Sequence, residues 1–151
     1  MTIGYRQAAI GDAELLIRTY NAAFYSDYLR YGVYPGYGKT KETMEESIRE
    51  VPKYIILCDD APVGCISCKQ MKTGVYEIGC LCVVPEFQGK GIGTRAIRFV
   101  KTLHDDWDKL TLATPVDKEE NMKFYTEKCG FHTVSTEMDG GVELARLVSE
   151  R

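Results

Sequence analysis

The sequence contains no uninterrupted apolar stretch approaching the ~20 residues of a membrane-spanning helix, and no signal-type apolar segment, low-complexity tract or internal repeat. The expectation is a soluble, cytoplasmic protein with no membrane partner. Positive charge is not in excess either: the net charge is −3 and the isoelectric point about 5.5, whereas nucleic-acid-binding domains concentrate lysine and arginine. No nucleic-acid partner is expected. Histidine is scarce, and His104 and His132 have no partner at catalytic spacing, so both read as structural or surface residues. At 151 residues the chain is expected to form a single domain, residues 1–151, that buries most of the surface its unfolded form exposes.

Six cysteines are present, and Cys65-x-x-Cys68 followed by Cys80-x-Cys82 has the outline of a zinc site. An odd separation places Cys65 and Cys68 on opposite faces of a regular strand, and the second pair lacks the usual two-residue gap. The expectation is therefore reduced thiols acting as small core residues, with no metal.

Apolar periodicity gives the element order β-α-α-β-β-β-α-β-α-β-β, an α/β domain with a mixed sheet. Ala13, Leu16, Ile17, Tyr20 and Phe24 recur at helical spacing, and Met44, Ile48 and Val51 mark a second helix, with an aromatic loop expected between them. Three strands at 54–58, 63–71 and 75–84 are joined by turns short enough for an antiparallel meander. Ile92, Ala96, Phe99, Val100 and Leu103 are expected to face the core from the next helix. A last helix is expected from about Lys118, with Asp117 as N-cap, Glu120 at the capping-box position and Gly130 just past its end.

Between the third of those strands and the helix at Ile92 lies Val83-Val84-Pro85-Glu86-Phe87-Gln88-Gly89-Lys90-Gly91-Ile92-Gly93-Thr94. Glycines at a helix N-terminus let the backbone approach an anion, and successive N–H groups with the positive end of the helix dipole supply the attraction. Lys90 lies between the wrong glycines for a P-loop. Gly91-Ile92-Gly93-Thr94-Arg95-Ala96 satisfies the dinucleotide pattern G-x-G-x-x-A, but there the first glycine sits in the tight turn itself, and here six residues intervene.

Gln88-x-x-Gly91-x-Gly93, preceded by Leu81-Cys82-Val83 and Pro85-Glu86, resembles the acetyl-CoA signature of the GNAT superfamily of N-acetyltransferases. Phe124-Tyr125-Thr126-Glu127-Lys128-Cys129-Gly130-Phe131 resembles the family's FYEKxGF helix ending, and the likeness runs from about Tyr54 to the end of the chain. It implies a mixed, mostly antiparallel sheet flanked by helices. It also implies a splay between the strand before the cradle and the strand at Leu110, admitting the pantetheine arm. The implied co-substrate is acetyl-CoA, held by Leu81, Cys82, Val83, Gln88, Gly89, Lys90, Gly91, Ile92, Gly93 and Thr94. Many relatives carry an asparagine where this chain has Lys118, so Lys118 becomes a candidate phosphate contact, and Asn121 on the adjacent turn a weaker candidate for the cofactor arm.

The implied reaction sets chemical demands. An alkyl amine with a pKa of about 10.4 is protonated at pH 7 in all but roughly one molecule in 2,500, a cost of about 4.6 kcal/mol. Glu77, eleven residues before Gln88, stands where some GNAT members place a catalytic glutamate; it shares a strand face with Gly79, Leu81 and Val83, whose burial is expected to raise its pKa. An ordinary carboxylate is still about six pK units too weak for direct abstraction, which calls for a water relay. The family motif puts Tyr125 beside the CoA sulfur, where a phenol can donate a hydrogen bond to the departing thiolate.

Acceptor choice falls to the N-terminal half, where Tyr25, Asp27, Tyr28 and Tyr31 head an aromatic segment that continues to Tyr34 and Tyr37. Tyrosine faces and a carboxylate suit an ammonium ion, and such a segment equally suits a homodimer interface. The reading is an N-acetyltransferase acting on a small-molecule or peptide amine by direct transfer. A non-catalytic acyl-CoA-binding regulatory module is the alternative.

Overall fold

A computed structural model describes residues Met1–Arg151. Strand β1 (Ile3–Gln7) pairs antiparallel with β2 (Lys53–Cys58), from Ile3↔Cys58 to Gln7↔Tyr54, across the intervening helices α1 (Ala13–Tyr31) and α2 (Lys41–Glu50). The turn Asp59-Asp60, with φ of 49° and 69°, is the left-handed pair that a two-residue hairpin favours, and it leads into β3 (Ala61–Lys72). Then follow β4 (Val75–Val83), α3 (Ile92–Leu103), β5 (Lys109–Pro115), the short α4 (Glu119–Lys123) with a π-helical turn at Phe124–Lys128, β6 (His132–Asp139) and β7 (Val142–Glu150).

The seven strands hydrogen-bond in the order β1-β2-β3-β4-β5-β7-β6. The β4–β5 ladder is parallel, and β1–β2, β2–β3, β5–β7 and β6–β7 are antiparallel. This is the mixed, mostly antiparallel sheet expected. The parallel ladder comprises Val75↔Lys109, Tyr76↔Leu110 and Glu77↔Thr111; beyond it β4 runs on to Val83 and β5 to Pro115 without further pairs between them. No helix is long and apolar enough to cross a membrane.

The chain packs as two compact units, Met1–Cys68 with Cys80–Ala96, and Lys69–Gly79 with Ile97–Arg151. In the first, Ala13, Leu16, Tyr20 and Ala23 recur at helical spacing along α1 and pack with Met44, Ile55, Cys65 and Cys82. In the second, Ile97, Val100, Leu110, Leu112, Ala145 and Leu147 are buried. Leu103, expected in the core, is exposed.

Two boundaries differ from expectation. Helix α1 continues to Tyr31 and stops only at Gly32, whose φ of +80° breaks the helix while its N–H still bonds the Tyr28 carbonyl at 2.8 Å. Tyr25, Asp27, Tyr28 and Tyr31 are thus helical, not in a loop, because nothing before Gly32 disfavours helix. At α4 the N-cap is Lys118, not Asp117, and no side chain caps it. The Pro115 carbonyl accepts the Lys118 N–H at 3.2 Å, so a turn after β5 delays the helix by one residue.

Candidate active site

The cradle begins where β4 ends. The Val84 N–H bonds the Val63 carbonyl at 2.8 Å, and a single 3-10 turn follows at Pro85–Phe87, with proline at a first-turn position that needs no N–H. Gln88 folds back, its Nε2 donating to the Val83 carbonyl at 2.9 Å. This bond fixes the bend between strand and glycines.

Gly89 and Gly91 have φ of +75° and +79°, a conformation that costs an L-residue about 1–2 kcal/mol. A Cβ at either position would meet no atom within 4 Å. The glycines therefore serve backbone direction and leave open space beside them. Arg95 N–H makes the first α-helical bond, to the Gly91 carbonyl at 3.2 Å, so the N–H groups of Ile92, Gly93 and Thr94 precede the helical bonding pattern at the positive end of a twelve-residue helix. Ile92 is buried and anchors this turn, whereas Lys90 is exposed. On the strand leading in, Cys82 is buried, and Leu81 and Val83 are half-buried.

Helical geometry divides the predicted acceptor residues into two sets. Asp27 and Tyr31, four apart, share one face, and Asp27 is only 4% exposed. Its charge reaches the Tyr34 phenol, which burial in the first place, then Asp27, pushes up. Tyr25 and Tyr28 lie on the exposed side, where Tyr28 stacks on Tyr37 at 4.4 Å between centroids.

In the second unit Glu77 is half-buried and accepts a hydrogen bond from Arg146 Nη1 at 2.9 Å. Arg146 also reaches Thr111 Oγ1 at 3.5 Å and Glu137 at 3.3 Å. The strand pattern predicts apolar enclosure of Glu77, and the structure gives it an ion pair instead. Arg146 lies 69 residues away on the face of β7 opposite Ala145 and Leu147, and no local pattern links the two; only the strand order does.

Tyr125 sits in the π-helical turn, 7% exposed, its ring edge-on to Phe124 and Phe131 at 5.0 and 5.7 Å between centroids. The Phe131 N–H closes the turn on the Tyr125 carbonyl at 3.0 Å. Asn121 Nδ2 donates to Thr114 Oγ1 at 3.3 Å, tying α4 to β5, and half-buried Lys118 accepts the Asn121 and Met122 N–H groups at its carbonyl. No three histidine, cysteine or acidic side chains converge as a metal-binding group.

The sequence matches the profile of the Acetyltransferase (GNAT) family over residues 14–131. The chain belongs to this family. The Bacillus subtilis (strain 168) protein YrkN, described as uncharacterized, is 32% identical over 82 residues, 54% of this chain; the match spans less than half, 44%, of YrkN. Among solved structures, an acetyltransferase from Thermus thermophilus superposes with a TM-score of 0.82 at 19% identity, covering 100% of this chain and 98% of the other. The PaiA N-acetyltransferase from Thermoplasma acidophilum, in complex with coenzyme A, gives 0.80 at 19% identity over 100% of both chains.

Proposed function

We propose that residues 1–151 form one acetyltransferase domain that transfers the acetyl group of acetyl-CoA to a primary amine, of a small molecule or a peptide, by direct transfer in a ternary complex. The observation that carries this reading is the cradle: positive-φ Gly89 and Gly91, open space beside both, and the N–H groups at the start of α3. The donor set suits a pyrophosphate, and PaiA, of the same fold, binds coenzyme A.

Acetyl-CoA, when bound, supplies an activated acyl thioester. The backbone at Gly89–Thr94 holds the pyrophosphate, Lys90 and Lys118 add positive charge, and the Leu81–Val83 backbone lines the pantetheine arm. Asn121 keeps its amide oxygen available for the same arm. Asp27 and Tyr31 draw in the ammonium of the acceptor. Glu77, held by Arg146, takes the amine proton through a water. The Tyr125 hydroxyl donates a hydrogen bond to the leaving sulfur.

Gly91→Ala tests the cradle. The added methyl meets nothing in the protein but fills the side from which an anion approaches and forces φ away from +79°. Unfolding free energy should fall by about 1–2 kcal/mol, and calorimetry should show coenzyme A affinity reduced about tenfold or more, ~1.4 kcal/mol. Unchanged affinity in a folded variant would remove the cradle from the mechanism.

A further inference from the structure

At three glycines an added Cβ would stand less than 3.0 Å from another atom. At Gly36 and Gly74 that atom belongs to a side chain, of Phe24 or Asp108, which can turn aside. At Gly64 on β3 it is the main-chain carbonyl oxygen of Cys82 on β4, with the Cys82 carbonyl carbon and the Val83 Cα each at 3.2 Å. Only a hydrogen fits there. A glycine inside a strand marks such a close approach of a second backbone.

The surroundings of Gly64 fix β4 at the same level. Gly64 pairs with Ile56 of β2 and Pro62 with Leu57, so Val63 is the extra residue of a bulge, a device that bends its own strand and re-aims what lies beside it. The Val63 carbonyl accepts the Val84 N–H at 2.8 Å, and on the other end of that peptide the Val83 carbonyl accepts from Gln88 Nε2 at 2.9 Å. The preceding peptide joins the Cys82 carbonyl to the Val83 N–H. Every peptide bond is trans, so these two groups lie in one plane and point in opposite directions. With the carbonyl set against Gly64, the Val83 N–H points to the edge of β4 away from β3, where no ladder pair of β4 reaches beyond Glu77.

We propose that Gly64 is a positioning residue for the cofactor arm: by admitting the Cys82 carbonyl it aims the Val83 N–H at the pantetheine of the acyl-CoA. The inference rests on the acetyltransferase reading above. A pantetheine arm is an extended chain carrying amide carbonyls, the acceptors that a free strand edge takes. A side chain at position 64 drives the Cys82 carbonyl away from β3, and the planar peptide swings the Val83 N–H with it. The cradle at Gly89 and Gly91 is held separately, through the Gln88 bond and the turn at Pro85–Phe87. Gly64 therefore acts on the arm and not on the pyrophosphate.

Calorimetric titration of Gly64→Ala with coenzyme A and, separately, with ADP, which carries the pyrophosphate without the arm, tests the assignment. Coenzyme A should bind about five- to tenfold more weakly than to the parent chain, the loss of one hydrogen bond, while ADP affinity stays within about twofold. A general loosening of the fold would weaken both ligands together. Equal losses for the two ligands, or an unchanged coenzyme A affinity in the folded variant, would overturn the role of Gly64. Should Gly64→Ala not fold, amide NMR of the parent chain decides: the Val83 N–H resonance should move on saturation with coenzyme A and stay in place with ADP, and a resonance that coenzyme A leaves unmoved would overturn the proposal. A parent chain that binds no coenzyme A would instead overturn the acetyltransferase reading, and this assignment with it.

Discussion

Tyr125→Phe should lower turnover by about ten- to a thousand-fold, ~1.4 to 4 kcal/mol, with little change in acetyl-CoA affinity. The ring packs edge-on to Phe124 and Phe131 and is almost fully buried, so phenylalanine preserves the packing and removes only the hydroxyl. That hydroxyl matters as the thiolate leaves: with a phenol near pKa 10 and a thiol near 8.5, outright protonation is uphill by about 1.5 units, and hydrogen-bond donation carries the effect. Single-turnover kinetics, with chemistry limiting, are the check. Full turnover in the folded variant would make the hydroxyl structural.

Glu77→Gln should cost about a hundredfold in turnover at pH 7 and recover in part at higher pH. The variant keeps the shape of the side chain and leaves Arg146 its contact with Glu137. The direction of the pH effect follows from the acceptor. Below an amine pKa of about 10.4, each pH unit gained raises the free amine about tenfold, which offsets the missing base, whereas the parent enzyme depends less steeply on pH. Arg146→Met, which removes the partner that positions Glu77, should produce a smaller loss with the same tilt in the profile. A silent Glu77→Gln with the parent's pH profile would move the base elsewhere.

What is legible in the sequence is what adjacent residues decide. The cradle can be read because Gln88 to Thr94 are contiguous and two of its glycines, Gly89 and Gly91, have a local cause, a left-handed backbone. The element order can be read because apolar spacing reports burial along a single helix or strand. The extent of α1 cannot, because tyrosines and a buried aspartate blur its apolar face. Its end at Gly32 decides whether Asp27 and Tyr31 lie on a helical face or in a loop. Glu77 stands out in the sequence, but its ion pair with Arg146 depends on β7 lying beside β5, a non-local fact. The buried contacts of Tyr20 with Lys53 and Cys65 are hidden for the same reason, since the three residues come from a helix and two strands.

The central claim is that this chain performs chemistry on acetyl-CoA and does not merely bind it. Release of free thiol, followed while the protein is given acetyl-CoA and a panel of primary amines from small polyamines to peptides with free N-termini and lysines, tests it directly. Amine-dependent thiol release is expected with at least one acceptor, reduced about ten- to a thousand-fold in Tyr125→Phe. Stabilisation by coenzyme A with no release above background for any amine would contradict it and define an acyl-CoA-binding module instead.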